Sequence, residues 1–116
     1  MGKETIILTK DEQKFGEWLQ LYYMKAPRNN SKTTSYGFKH IFEYMCKIYI
    51  NNSQAKKVFH CLGYKPKQFL PAENGNEQYK IKLKPQFKLY YGGGIRIYSK
   101  KERTENIINK KYGGVC

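Results

Sequence analysis

Apolar residues recur with a helical period through the first half of the chain and with a period of two in the second half. Phe15, Trp18, Leu19 and Tyr22 fall at i, i+3, i+4 and i+7, the spacing of one helix face, and predict a helix over residues 10–25. Thr9, with Glu12 three residues on, forms a capping-box pattern at its start. Ala26-Pro27 ends it, because the residue before a proline is pushed out of the α region. The same spacing returns in Phe38, Ile41, Phe42 and Met45, for a helix opening near Thr34 or Ser35. It returns again in Ala55, Val58, Phe59 and Leu62, with Asn51 and Gln54 as a second capping box and Gly63 as the terminating glycine. The short runs 5–8 and 47–50 are apolar or β-branched and predict at most a very short strand or turn each.

After Gly63, a segment holding Pro66, Pro71 and Gly75 reads as a loop. Tyr79, Ile81 and Leu83 then alternate with Lys80, Lys82 and Lys84, and Phe87, Leu89 and Tyr91 continue beyond Pro85. Gly92, Gly93 and Gly94 supply a turn, and Ile95 and Ile97 alternate with Arg96 and Tyr98. This predicts an antiparallel β-hairpin or three-strand meander with one apolar and one basic face. Ser99 and Glu102 open a short terminal helix over residues 100–112. The expected fold is α+β in a single domain spanning 1–116, with a helical part (10–64), a hairpin part (78–99) and the terminal helix. Its element order, three helices followed by a hairpin, is that of a winged helix-turn-helix.

Charge changes the picture most. Lys and Arg total 22 against 9 acidic residues, a net charge of +13, and it is unevenly placed. Residues 1–19 are close to neutral, whereas 78–101 hold seven cations and no acid. Such a surface binds polyphosphate through counterion release. Lys80, Lys82 and Lys84 fall on one face of one strand, where like charges repel unless an anionic partner relieves them; lysines guarding an edge strand against aggregation are the other explanation. Lys88, Arg96, Lys100 and Lys101 extend the basic segment. In a winged-helix arrangement the third helix would expose Ser53, Gln54, Lys56, Lys57 and His60. Gln can pair bidentately with adenine, and Lys can reach guanine or phosphate. The link from Met45 to Asn51 is longer than the tight turn of such motifs. The 16% of aromatic residues, 11 of them Tyr, can serve a core or stack on bases.

Catalytic and cofactor chemistry find little support. Two histidines, His40 and His60, stand without a credible acid–base partner set, and with Cys46 and Cys61 they lack zinc-ligand spacing. The Gly92–Gly94 run is not followed by the Lys-Ser/Thr of a P-loop. No cofactor, metal or catalytic residue is therefore expected, and the chain reads as a non-enzyme. Cys46, Cys61 and Cys116 are odd in number and lack short paired spacing, so they read as reduced thiols of a cytoplasmic protein. No apolar run reaches transmembrane length.

The stretch TSYGFKHIFE at 34–43, IYIN at 48–51 and LGY at 62–64 resemble a pattern in small accessory proteins of phages and integrative elements of low-GC Gram-positive bacteria. These include anti-CRISPR proteins directed at type II RNA-guided nucleases. The resemblance covers about residues 33–65 and carries over no site residue. It implies an inhibitor that occupies a host RNA-guided nuclease or its guide-RNA complex, monomeric or homodimeric. A sequence-specific winged-helix DNA-binding regulator is the alternative. A basic endoribonuclease toxin is a remote one, since such toxins pack helices on a continuous sheet.

Overall fold

Aromatic side chains from all three predicted helices meet in one core. The structure, a computed structural model, describes residues 7–70, 75–90 and 94–97. Helix α1 spans Lys10–Tyr22 and opens on the expected capping box: the Glu12 backbone N–H donates to the Thr9 hydroxyl, and the Thr9 N–H donates to Glu12 Oε1. Helix α2 spans Ser35–Cys46, and α3 spans Asn52–Cys61 with the Asn51–Gln54 box closed in the same reciprocal way. Each such cap satisfies two backbone groups that a helix end leaves without partners. Phe15, Trp18, Phe38, Phe42 and Phe59 are fully buried. Phe15 is the hub: its ring lies 5.9 Å from Trp18, 5.0 Å from Phe42 and 5.8 Å from Phe59. The three helical faces inferred from spacing are thus the faces that pack.

The strands correct the sequence in two places. Helix α1 stops at Tyr22 rather than near residue 25, and Tyr23–Lys25 is a strand, β1. Two tyrosines ahead of Ala26-Pro27 suit extended backbone, but what fixes it is a partner far along the chain. β1 pairs antiparallel with β2, Ile81–Leu83, with Tyr23 opposite Leu83, Met24 opposite Lys82 and Lys25 opposite Ile81. The lysine-bearing strand therefore belongs to a sheet with β1, and the meander is not formed. β3 (Phe87–Tyr90) and β4 (Gly94–Ile97) make a separate antiparallel hairpin. The fold is α+β, with three helices and two small two-stranded sheets among the described residues. Residues 7–8 and 47–50 form no strand, although Ile50 is fully buried. The turn at 91–93, the terminal helix over 100–112, and Lys100 and Lys101 lie outside the described residues.

Two glycines are required by geometry. Gly63 takes φ +90° just after α3, as a terminating glycine should. Gly94 takes φ +77° at the start of β4, and a Cβ there would meet Met45 Cγ at 2.9 Å. The hairpin can rest against the end of α2 only because that position has no side chain. Cys61, the last residue of α3, is free and exposed.

Candidate nucleic-acid interface

The polar side of α3 does not form the open row expected from its sequence. Gln54 closes the helix cap and donates through Nε2 to Glu12 at 2.9 Å. Lys57 pairs with the other Glu12 oxygen at 2.9 Å. Lys56 is buried, its ammonium donating to the carbonyls of Leu70 and Gly75. His60 Nε2 sits 2.7 Å from Glu77, which also accepts from the Tyr79 hydroxyl at 2.6 Å and from the Leu70 backbone N–H at 2.8 Å. The helix period alone cannot distinguish solvent from a returning loop as the neighbour of a polar face. Here Leu70, Gly75 and Glu77 meet Lys56 and His60, and Glu12 of α1 meets Gln54 and Lys57.

Two buried carboxylates anchor this arrangement. Burial pushes the Glu77 carboxyl up, but hydrogen bonds from Tyr79, Leu70 and His60 outweigh it and hold the group below its usual range. Glu12 behaves alike: burial raises it, and Lys57, the Thr9 N–H and Gln54 together lower it further. A carboxyl depressed in the folded state contributes stability above its unfolded pKa, and that stability is lost as pH falls through the folded value. Melting temperature is therefore expected to fall as pH drops below about 4, the ordinary carboxylate range. Glu77→Gln should lower it at neutral pH and flatten this acid limb. An acid limb as steep in the variant as in the parent would contradict the assignment.

Glu43 is likewise engaged, by Lys39 at 2.9 Å and by His40 at 3.4 Å. Among the described acidic residues, only Asp11 and Glu17, both on α1, stand exposed.

The lysines meet elsewhere. A cleft of about 450 Å³ lies between β1, the segment after α3 and the residue leading into β2. Lys25, Lys65, Lys67 and Lys80 line it with Asn29, Gly63 and Tyr64, and no acidic side chain is among its walls in the described residues. Backbone hydrogen bonds hold the walls in place. The Ala26 N–H donates to Lys80 O at 2.9 Å, and the Lys67 N–H donates to Gln78 O at 2.8 Å, beside a bridge between Pro66 and Tyr79. Lys25 reaches across to Gly63 O at 3.0 Å, with its ammonium 4.7 Å from the Tyr64 ring centre. Asn29 Oδ1 is buried at this wall with no hydrogen-bond partner among the described residues. From the cleft, Lys80 and Lys82 continue along the outward face of β2 and are exposed, while Ile81 is buried beneath; Lys84 is half-buried just beyond the strand. The alternation read from sequence holds over Lys80, Ile81 and Lys82, and Lys80 is the residue of this row that lines the cleft.

Lys88 and Arg96 are cross-strand partners in the other sheet, both placed against the Tyr90 ring, at 5.7 and 5.8 Å from its centre. The predicted binding residues thus divide into three groups: Lys80, Lys82 and Lys84 at the cleft sheet, Lys88 and Arg96 on the hairpin, and Gln54, Lys56, Lys57 and His60 in contacts within the protein. Sequence reasoning missed Lys25, Lys65, Lys67 and Tyr64. The Lys-Pro-Lys run at 65–67 was the one available signal; nothing local could place Lys25 beside it. No cluster of His, Cys, Asp or Glu among the described residues is arranged to hold a metal ion. No described helix is long and apolar enough to cross a membrane. Comparison with known protein families, with curated proteins and with solved structures finds no match to this chain.

Proposed function

We propose that the protein binds nucleic acid through the lysine-lined cleft and the outward row of β2, and that it acts by occupying its target rather than by chemistry. One observation carries the reading: four lysines from three separate chain segments line one cleft that has no acidic side chain among the described residues. Holding like charges together costs self-repulsion, which a polyanion relieves while releasing its own condensed counterions. A solubility device would be served as well by dispersed lysines. The resemblance over residues 33–65 makes a type II RNA-guided nuclease with its guide RNA the first target to test, inside the cytoplasm of a host bacterium.

Occupancy predicts stoichiometric behaviour. Nuclease activity should fall in proportion to added protein and recover only as the complex dissociates. The test is a titration of the nuclease–guide complex, with free duplex DNA as the control and the size of each complex measured. Turnover at substoichiometric amounts would indicate an enzyme instead. A dimer that binds duplex DNA alone, with one preferred sequence, would establish a winged-helix regulator, for which the polar side of α3 would have to leave its contacts with Glu12, Leu70, Gly75 and Glu77.

A further inference from the structure

Helix α2 carries an aromatic row on its solvent side that the core does not use. Tyr36, His40 and Tyr44 are four residues apart, so they lie above one another along one face, about 6 Å per step. Tyr36 is 46% exposed and Tyr44 51%, and Tyr49, just beyond the helix, is 70% exposed. A solvent-facing helix row is ordinarily polar, since exposed rings gain nothing from folding.

Cations accompany each ring. The buried Lys39 ammonium lies 5.0 Å from the Tyr36 centre and 4.9 Å from that of Tyr49, and Lys47 lies 5.0 Å from Tyr44. The row continues onto the hairpin. Gly94, cross-strand partner of Tyr90, lies against Met45 and Tyr44, so the end of the hairpin that carries Tyr90 is next to the end of α2. The Ile95 N–H, 3.4 Å from Met45 Sδ, fixes that contact.

We infer that this strip, from Tyr36 through Tyr44 to Tyr90, is a stacking platform for unpaired bases of a single-stranded nucleic acid, with Lys47 and Arg96 following its phosphates. The inference rests on the nucleic-acid reading above and adds a preference for single strands. Half-exposed tyrosines spaced along a ridge and bordered by cations match the way sequence-tolerant single-strand binders work, each ring taking one base face. Duplex bases are already stacked on each other and offer no face to such a ridge. An apolar protein partner fits less well, because the strip carries a cation beside every ring.

The test is fluorescence anisotropy with labelled oligothymidylate, oligouridylate and a hairpin duplex. Replacing Tyr36, Tyr44 and Tyr90 together by Ala is expected to weaken single-strand binding at least about tenfold, with duplex binding unchanged. The same positions as Phe should retain the affinity, since stacking needs the ring and not the hydroxyl. If the triple Ala variant loses its circular dichroism, Tyr36→Ala alone, far from the hairpin, should still show a measurable selective loss. Equal losses on single strand and duplex, or no loss, would overturn the platform. Lys65→Glu, Lys67→Glu and Lys80→Glu together separate the two readings. If they spare binding that the Ala variant abolishes, the cleft assignment falls and the platform stands. A parent protein that binds neither single strand would overturn the platform outright.

Discussion

Phe59→Ala is expected to destabilise the protein by about 3–5 kcal/mol, the usual cost of truncating a buried Phe. That is a large share of the roughly 5–15 kcal/mol by which a domain is stable. The position explains the size. Phe59 is fully buried, stacks on Tyr79 at 4.2 Å and meets Phe15, Phe38 and Tyr64 edge-on. It thus joins α1, α2 and α3 to the segment that leads into β2, and no single neighbour can move to fill the space. Urea unfolding checks it, with Phe69→Ala as the comparison. Phe69 is 62% exposed, and its loss should stay within about 0.5 kcal/mol, as for surface changes generally. A Phe59→Ala protein with the parent's unfolding midpoint would mean that the helical faces are wrongly assigned. Phe42→Ala should behave likewise, since Phe42 is fully buried against Phe15 and Trp18.

Reversing Lys65, Lys67 and Lys80 to Glu should weaken nucleic-acid binding and also flatten its salt dependence. Each phosphate contact adds about one unit to the slope of log affinity against log salt, so losing three should reduce the slope by about 3. The three side chains are exposed, so the fold should tolerate the change. Lys56→Glu would be misleading as a probe: that ammonium is buried on two carbonyls, and its loss is a folding defect before it is a binding defect. Affinity measured from about 50 to 200 mM salt decides the matter. A slope unchanged by the three substitutions would remove the cleft from the interface.

Local order was legible along the chain. Both capping boxes, the terminating Gly63 and the faces of all three helices follow from residues within one or two helical turns of each other. Lys80 and Lys82 are exposed on either side of buried Ile81, as the fixed period of a strand requires, whereas Lys84 is half-buried beyond the strand end. The extent of α1 was not legible. Tyr23–Lys25 continues an apolar pattern that suits a helix, and only pairing with residues some sixty positions later makes it a strand.

The same division runs through the candidate site. The sequence by itself determined that the chain is strongly basic, that its second half carries lysines on a strand face, and which aromatic residues build the core. Tertiary structure alone decided where the charge is available. It set Glu12 and Glu77 against Gln54, Lys57 and His60, engaging these side chains of α3 in contacts within the protein. It also drew Lys25, Lys65, Lys67 and Lys80 into one cleft. The reason is physical: helix and strand periods fix which side of an element a residue takes, whereas the neighbour on that side is chosen by contacts distant in sequence. A lysine's electrostatic role depends on that neighbour, so charge could be counted in the sequence but its free portion could be located only in the fold.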